Sequence, residues 1–139
     1  MNRHTFRSLI AQALLSASLA SSLQAAAAPA RYRLSEAQKK ALACRCCGMD
    51  GVSPQLERAL ERLQAVTRRR YAVTSGLRCV PHNTAVGGVL RSLHLTGFAC
   101  DIAVPRALQP LVGRAARLCG FAVVIPSARR GYIHLALTR

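Results

Sequence analysis

The chain has 139 residues, of which 20 are Lys or Arg and five are Asp or Glu, so its formal net charge is +15. This length predicts one domain with a modest core. The basic balance predicts attraction to polyanions. However, aromatic residues make up only 4% of the chain, too few for the stacking platforms on which nucleic-acid bases are bound, so we expect no nucleic-acid partner.

The N-terminal residues have the features of a secretory signal peptide. Arg3 and Arg7 precede an apolar stretch over residues 9–23, and an alanine run follows before Pro29. This order predicts cleavage just after Ala27, leaving residues 28–139 as a single periplasmic or secreted domain. An uncleaved anchor is the alternative, although the stretch is short for a membrane span. After cleavage we expect no membrane span.

Two helices are predicted in the first half of the remaining chain. Ser35 and Gln38 have the spacing of a capping box, which opens a short helix. Ser53 and Pro54 are an N-cap and a first-turn proline, and they predict an amphipathic helix from Pro54 to about Arg68. Its apolar residues recur at helical spacing and are expected in the core: Leu56, Leu60, Leu63 and Val66.

The cysteines are even in number, which in an oxidising compartment favours disulfides. They are Cys44, Cys46, Cys47, Cys79, Cys100 and Cys119. Six cysteines allow 15 connectivities, so the sequence assigns no pairs. Cys44 and Cys47 also form a Cys-x-x-Cys spacing, which is compatible with half of a structural zinc site or with a redox pair. A disulfide staple is the preferred interpretation because no second such spacing follows.

The second half of the chain alternates strands with one helix. Residues 70–75 are predicted as a strand, residues 76–97 as a long loop rich in Gly and His, and residues 98–104 as a second strand. A helix with its apolar face over Leu108 to Leu118 follows, and residues 121–125 and 131–137 are expected to pair as a hairpin. The predicted fold is α+β, with a small, mostly antiparallel sheet and helices packed beside it.

Three residues in this half are of the types that bind catalytic zinc. Asp101 follows His94 by seven residues, and His134 lies in the last predicted strand. A catalytic zinc site takes three protein ligands and leaves one position open. An ionised carboxylate within an apolar strand is costly unless it is paired or holds a metal. A hydrogen-bonded core histidine and a loop-bracing aspartate are the alternative interpretations.

A motif in several parts surrounds these residues. It runs Ser75-Gly-Leu-Arg78, Pro81-His-Asn83, Val86-Gly-Gly88, Ser92-x-His94-x-x-Gly97-x-Ala99-x-Asp101-Ile102 and finally His134. The pattern resembles the zinc D,D-peptidases of the M15 type, the D-alanyl-D-alanine carboxypeptidase and murein endopeptidase group, over residues 35–137. The resemblance implies a hedgehog/DD-peptidase-like fold, zinc bound by His94, Asp101 and His134, and cleavage of peptidoglycan stem peptides or cross-links.

Further site residues follow from the same motif. The resemblance implies that Arg78 faces the substrate, and a guanidinium suits both a carboxylate and an oxyanion. We therefore predict Arg78 as catalytic and substrate-binding, His82 as a second catalytic candidate and Ser92 as substrate-binding. For His82 a structural role is the alternative.

The sequence departs from the family at the general base. Active members carry an acidic general base close before the last histidine, or an Asp two residues after it, whereas no Asp or Glu follows Asp101 here. A base recruited from His82, Asp50 or Glu57 would supply the function. Otherwise the chain is a weak enzyme or a non-catalytic protein that binds zinc and peptidoglycan. A basic, disulfide-stapled protein that binds envelope polyanions without metal is the third alternative.

Overall fold

The computed structural model describes residues 27–138, which form four α-helices and four strands. The helices are α1 (Glu36–Leu42), α2 (Pro54–Thr67), α3 (Val80–Ala85) and α4 (Gln109–Leu118). The strands are β1 (Val73–Ser75), β2 (Ala99–Ala103), β3 (Val123–Ser127) and β4 (Tyr132–Ala136). The predicted signal peptide lies outside the described residues. None of the helices within them is long and apolar enough to cross a membrane.

The sheet has the order β1-β2-β4-β3, and every neighbouring pair is antiparallel. β3 and β4 form the predicted hairpin, whose turn ends at Gly131 with a φ of +68°. The central position of β2 and β4 places both strands among buried residues, because each has a partner on either side. The prediction of an α+β domain is confirmed.

The core lies between the sheet and the helices. The buried leucines of α2, at positions 56, 60 and 63, pack with Ile102 of β2 and Ile133 of β4. Burial of each such side chain contributes about 1.5–3 kcal/mol. The predicted apolar faces are wider than the buried ones, since Val66 of α2 and Leu111 and Leu118 of α4 remain exposed.

Side-chain amides tie α1 to α2. The capping box at Ser35 is present, with Gln38 as its partner, and Gln38 Nε2 also donates to Gln64 Oε1 and to the Tyr71 carbonyl, both at 2.7 Å. Because Gln38 and Gln64 are buried, these hydrogen bonds satisfy amide groups that would otherwise destabilise the core.

The predicted long loop over residues 76–97 is wrong in part. It contains α3 and a 3-10 helix over Leu93–Thr96. Cys79 is the extended N-cap residue of α3, and Pro81 follows within the first turn, where its fixed φ favours helix and its missing N–H has no cost. The helix has six residues, too short to show a hydrophobic period in the sequence.

Candidate metal centre

The paired strands β2 and β4 bring two of the predicted ligands together. Asp101 is the direct antiparallel partner of His134, so their side chains lie on the same face of the sheet. His94 belongs to the 3-10 helix that precedes β2, and Gly97, with a φ of +74°, ends that helix and turns the chain into the strand. The backbone that carries Asp101 and His134 is therefore held in place by the hydrogen bonds between β2 and β4.

Three donor atoms converge at this point. His94 Nε2 lies 3.2 Å from His134 Nδ1 and 3.3 Å from Asp101 Oδ1, and His134 Nδ1 lies 2.8 Å from the same oxygen. Ligands at about 2.0–2.1 Å from a tetrahedral zinc ion are separated by about 3.3 Å. The donor set and its spacing therefore fit a zinc ion.

The tautomer of His94 is fixed by its surroundings. His94 Nδ1 lies 2.7 Å from the carbonyl oxygen of Gly76, and a carbonyl can only accept, so Nδ1 carries the proton. The lone pair of Nε2 then points toward His134 and Asp101. An imidazole whose other nitrogen donates to a backbone carbonyl is the arrangement typical of metal-binding histidines.

The centre has the charge of a cation site. Burial raises the pKa of the Asp101 carboxyl, but its contacts with His134 and His94 outweigh burial and hold this pKa well below its usual range. The carboxylate is thus ionised beside an imidazole lone pair. The side chains of His94 and Asp101 are 3% and 10% exposed, whereas that of His134 is 23% exposed. Access to the centre is therefore from the His134 side.

Arg78 holds the second oxygen of the aspartate. Its Nη2 donates to Asp101 Oδ2 at 2.8 Å and its Nε donates to Ser75 Oγ at 2.9 Å. This ion pair leaves Oδ1 facing the two histidines. The prediction placed Arg78 against the substrate and gave no role to Ser75 or to the Gly76 carbonyl. The place of Ser75-Gly-Leu-Arg78 at the start of the motif was the only signal for them.

Other predicted site residues lie elsewhere. Ser92 is the N-cap of the 3-10 helix, where its Oγ accepts from the His94 N–H at 3.3 Å. His82 lies in α3, with Nδ1 3.3 Å from Cys44 Sγ. Asp50 and Glu57 line a surface depression beside Lys39 and Val52. His82, Asp50 and Glu57 do not belong to the group of converging donors, and the catalytic role of His82 and the substrate contact of Ser92 stay predictions.

The His-Asn and Gly-Gly parts of the motif form a loop brace. Asn83 is buried, and its Nδ2 donates to the Val89 carbonyl at 3.0 Å. A Cβ atom on Gly88 would lie 2.1 Å from Asn83 Oδ1. Glycine is therefore required at position 88 by close approach, and the brace fixes the segment that leads to Ser92.

We expect Gly88→Ala to destabilise the protein by about 1–3 kcal/mol, as overpacking of a filled site does. The control is Gly113→Ala in α4, where the added Cβ would meet Val124 Cγ1 at an ordinary 3.5 Å and the helix would gain up to about 1 kcal/mol. Urea denaturation of both variants checks this. Equal midpoints would contradict the brace.

The predicted disulfides are absent. All six cysteines lie within the described residues and all are free thiols. The nearest sulfurs identified, those of Cys46 and Cys79, are 3.1 Å apart, whereas a disulfide bond measures about 2.05 Å. Cys100 and Cys119 are buried in the core, and burial raises the pKa of Cys119 to about 11. The other four gather at a separate surface cluster.

Comparison with known protein families finds a match over most of the chain. The sequence profile of the family described as Peptidase M15 matches residues 33–136, which include every residue of the candidate metal centre and of the motif around it. No curated protein sequence matches the chain.

Proposed function

The chain belongs to the peptidase M15 family, and from this premise we propose that it is a zinc-dependent D,D-peptidase acting on the stem peptides or cross-links of peptidoglycan. The observation that carries the proposal is the convergence of His94 Nε2, Asp101 Oδ1 and His134 Nδ1 at zinc-ligand spacing. The D-amino-acid substrate class is supported by the resemblance of the motif over residues 75–102 to the D,D-peptidase group.

Zinc bound by His94, Asp101 and His134 would supply a Lewis acid for a peptide carbonyl. The protein's own residues prepare that position. Gly76 fixes the tautomer of His94, and β2 and β4 fix the separation of Asp101 from His134. Because these groups are held before any ligand arrives, binding needs little reorganisation.

Arg78 serves this proposal in two ways. Its Nη2 orients Asp101, which makes it a positioning residue. The planar guanidinium carries further N–H groups, and a fork of this kind pairs with the terminal carboxylate of a peptide. Ser92 contributes by holding the 3-10 helix that carries His94, and a direct substrate contact is not required of it.

Among the described residues, Asp101 is the one acidic side chain in the group of converging donors. Glu36 pairs with Lys39, and Glu61 accepts from the Leu34 N–H. Asp50, Glu57 and His82 do not belong to the converging group. A missing base forfeits about 10²- to 10⁴-fold in rate. We therefore propose a slow enzyme.

The combination of a complete ligand set with no further acidic side chain in the converging group favours a second candidate function. A protein with a complete ligand set and no acidic base can bind zinc and wall peptide without cleaving it. This non-catalytic, peptidoglycan-binding role differs from the first only in turnover, so the two share every contact described above.

We propose the cell envelope as the place of action, in the periplasm or outside the cell. Only two of the 20 basic side chains fall within the predicted signal peptide, so the remaining domain stays strongly basic. Its charge favours the carboxylates and other polyanions of the wall.

A peptide ending in D-alanyl-D-alanine tests the proposal. We expect the purified protein to release D-alanine slowly, as read by mass spectrometry, and to stop when a chelator removes zinc. The same peptide ending in L-alanine is the matched substrate control and should remain intact. Retention of the D-peptide on zinc-loaded protein without any product would favour the non-catalytic role. A protein that neither binds nor cleaves the D-peptide would contradict both candidate functions.

A further inference from the structure

Four cysteines from two distant segments meet at one point of the surface. Cys44, Cys46 and Cys47 follow α1, and Cys79 is the N-cap residue of α3. Their four sulfur atoms all lie within 4.8 Å of one another. The cluster shares no residue with the candidate metal centre, so its chemistry is independent of the proposed peptidase function.

The backbone presents these side chains as a preformed knuckle. The Gly48 N–H donates to the Cys44 carbonyl at 2.8 Å, and the Cys44 N–H donates to the Met49 carbonyl at 2.7 Å. Gly48 has a φ of +71°, which few residues other than glycine adopt without strain. The turn therefore closes on itself and directs three sulfurs toward Cys79.

The four sulfur atoms are close enough together to bind one metal ion. Cys44 Sγ lies 3.6 Å from Cys46 Sγ, which lies 3.1 Å from Cys79 Sγ. Thiolates at about 2.3 Å from a tetrahedral zinc ion are separated by about 3.8 Å. Four soft thiolate donors in a compact group favour zinc over hard cations.

Hydrogen bonds and charge around the cluster fit the same ligand. The Cys79 N–H donates to Cys44 Sγ at 3.3 Å, and His82 Nδ1 lies at the same distance from that sulfur. Such outer contacts orient thiolate ligands. Zinc with four thiolates carries a net charge of about −2, and Arg45 and Lys40 line the adjoining surface depression.

We propose that Cys44, Cys46, Cys47 and Cys79 bind one zinc ion as a structural site. Binding converts four thiols to thiolates and releases four protons to the solvent. The ion would join the turn after α1 to the start of α3. Because Arg78 directly precedes Cys79, the site would also anchor the segment whose guanidinium orients Asp101.

The test counts zinc and thiols in the full protein. We expect two zinc ions per chain by elemental analysis. A double variant, Cys46→Ser with Cys47→Ser, should retain one, and these two positions are exposed, so the core is not altered. Cys119→Ala is the matched control and should retain both ions. His94→Ala should also retain one ion, because it loses the zinc of the candidate metal centre and keeps that of the cysteine cluster.

Cobalt substitution separates the two sites by their absorption spectra. The wild-type protein should show thiolate-to-cobalt charge-transfer absorption in the near ultraviolet, and His94→Ala should preserve it. Loss of that band only in the double cysteine variant supports the proposal.

Three results would overturn the cysteine site. They are a mass lowered by disulfide formation within the cluster, four thiols that alkylate as fast with zinc as without it, and cobalt-loaded protein with no charge-transfer band. If only one zinc ion per chain is found and it is lost in His94→Ala, the candidate metal centre alone binds zinc and the peptidase proposal stands without the cysteine site. If that ion is lost only in the cysteine variant, the cysteine site alone binds zinc.

Discussion

Replacing His94 with alanine is expected to remove one zinc ion per chain and to abolish peptide cleavage. His94 Nε2 is the proposed ligand whose lone pair is fixed by the Gly76 carbonyl, and His94 is buried at 2% exposure. Loss of an outer partner alone typically lowers metal affinity 10- to 100-fold, so we expect loss of the ligand itself to exceed about 100-fold. A competition titration against a chromophoric chelator measures the affinity.

His82→Ala is the matched control for that experiment. Its imidazole contacts Cys44 Sγ and does not belong to the candidate metal centre, so that centre should keep its zinc. Circular dichroism of both variants establishes that the fold is retained. A folded His94→Ala protein that binds as much zinc as the wild type, with unchanged affinity, would contradict the ligand assignment.

The second large effect is expected from Arg78→Ala. The Arg78 and Asp101 side chains are only 13% and 10% exposed, and removal of one member of a buried ion pair costs about 3–5 kcal/mol because the other charge is left unpaired. We expect the free energy of unfolding of the metal-free protein to fall by about that amount. Zinc affinity should fall about 10- to 100-fold, since Asp101 loses its orienting partner.

Arg78→Lys distinguishes orientation from charge. Lysine keeps the charge but cannot donate to Asp101 and Ser75 from one planar group. We therefore expect the free energy of unfolding of Arg78→Lys to lie between those of the wild type and Arg78→Ala. Its zinc affinity should stay closer to that of Arg78→Ala. Arg114→Ala, at an exposed position of α4, is the surface control and should leave both quantities unchanged. Identical unfolding curves for Arg78→Ala and Arg114→Ala would show that the ion pair contributes nothing.

The strands and the centre could be predicted because their signals are local. Apolar runs of strand length enclose Asp101 and His134, and a charged residue within such a run is informative on its own. The antiparallel pairing of β2 with β4 sets these two residues opposite each other, whereas the predicted hairpin joins β3 to β4 and does not by itself imply that pairing. The helix limits of α2 were predictable from Ser53, Pro54 and the leucine spacing.

The features that escaped prediction depend on contacts between distant segments. The cysteine cluster needs Cys79 beside the Cys44 turn, and nothing in the spacing of the sequence brings them together. The Asp101 ion pair gives Arg78 a positioning role that the sequence did not indicate, and its substrate contact stays a prediction. The exposure of Val66, Leu111 and Leu118 reflects how little sheet there is to cover, which the periodicity of single helices does not report.

An anomalous difference map recorded at the zinc absorption edge, from crystals grown with zinc, tests the central claim most directly. The account predicts a peak at about 2.0–2.2 Å from His94 Nε2, His134 Nδ1 and one oxygen of Asp101, with Arg78 still bound to the other oxygen. A map without a peak at this position, in which His134 Nδ1 still donates to Asp101 Oδ1, would contradict it.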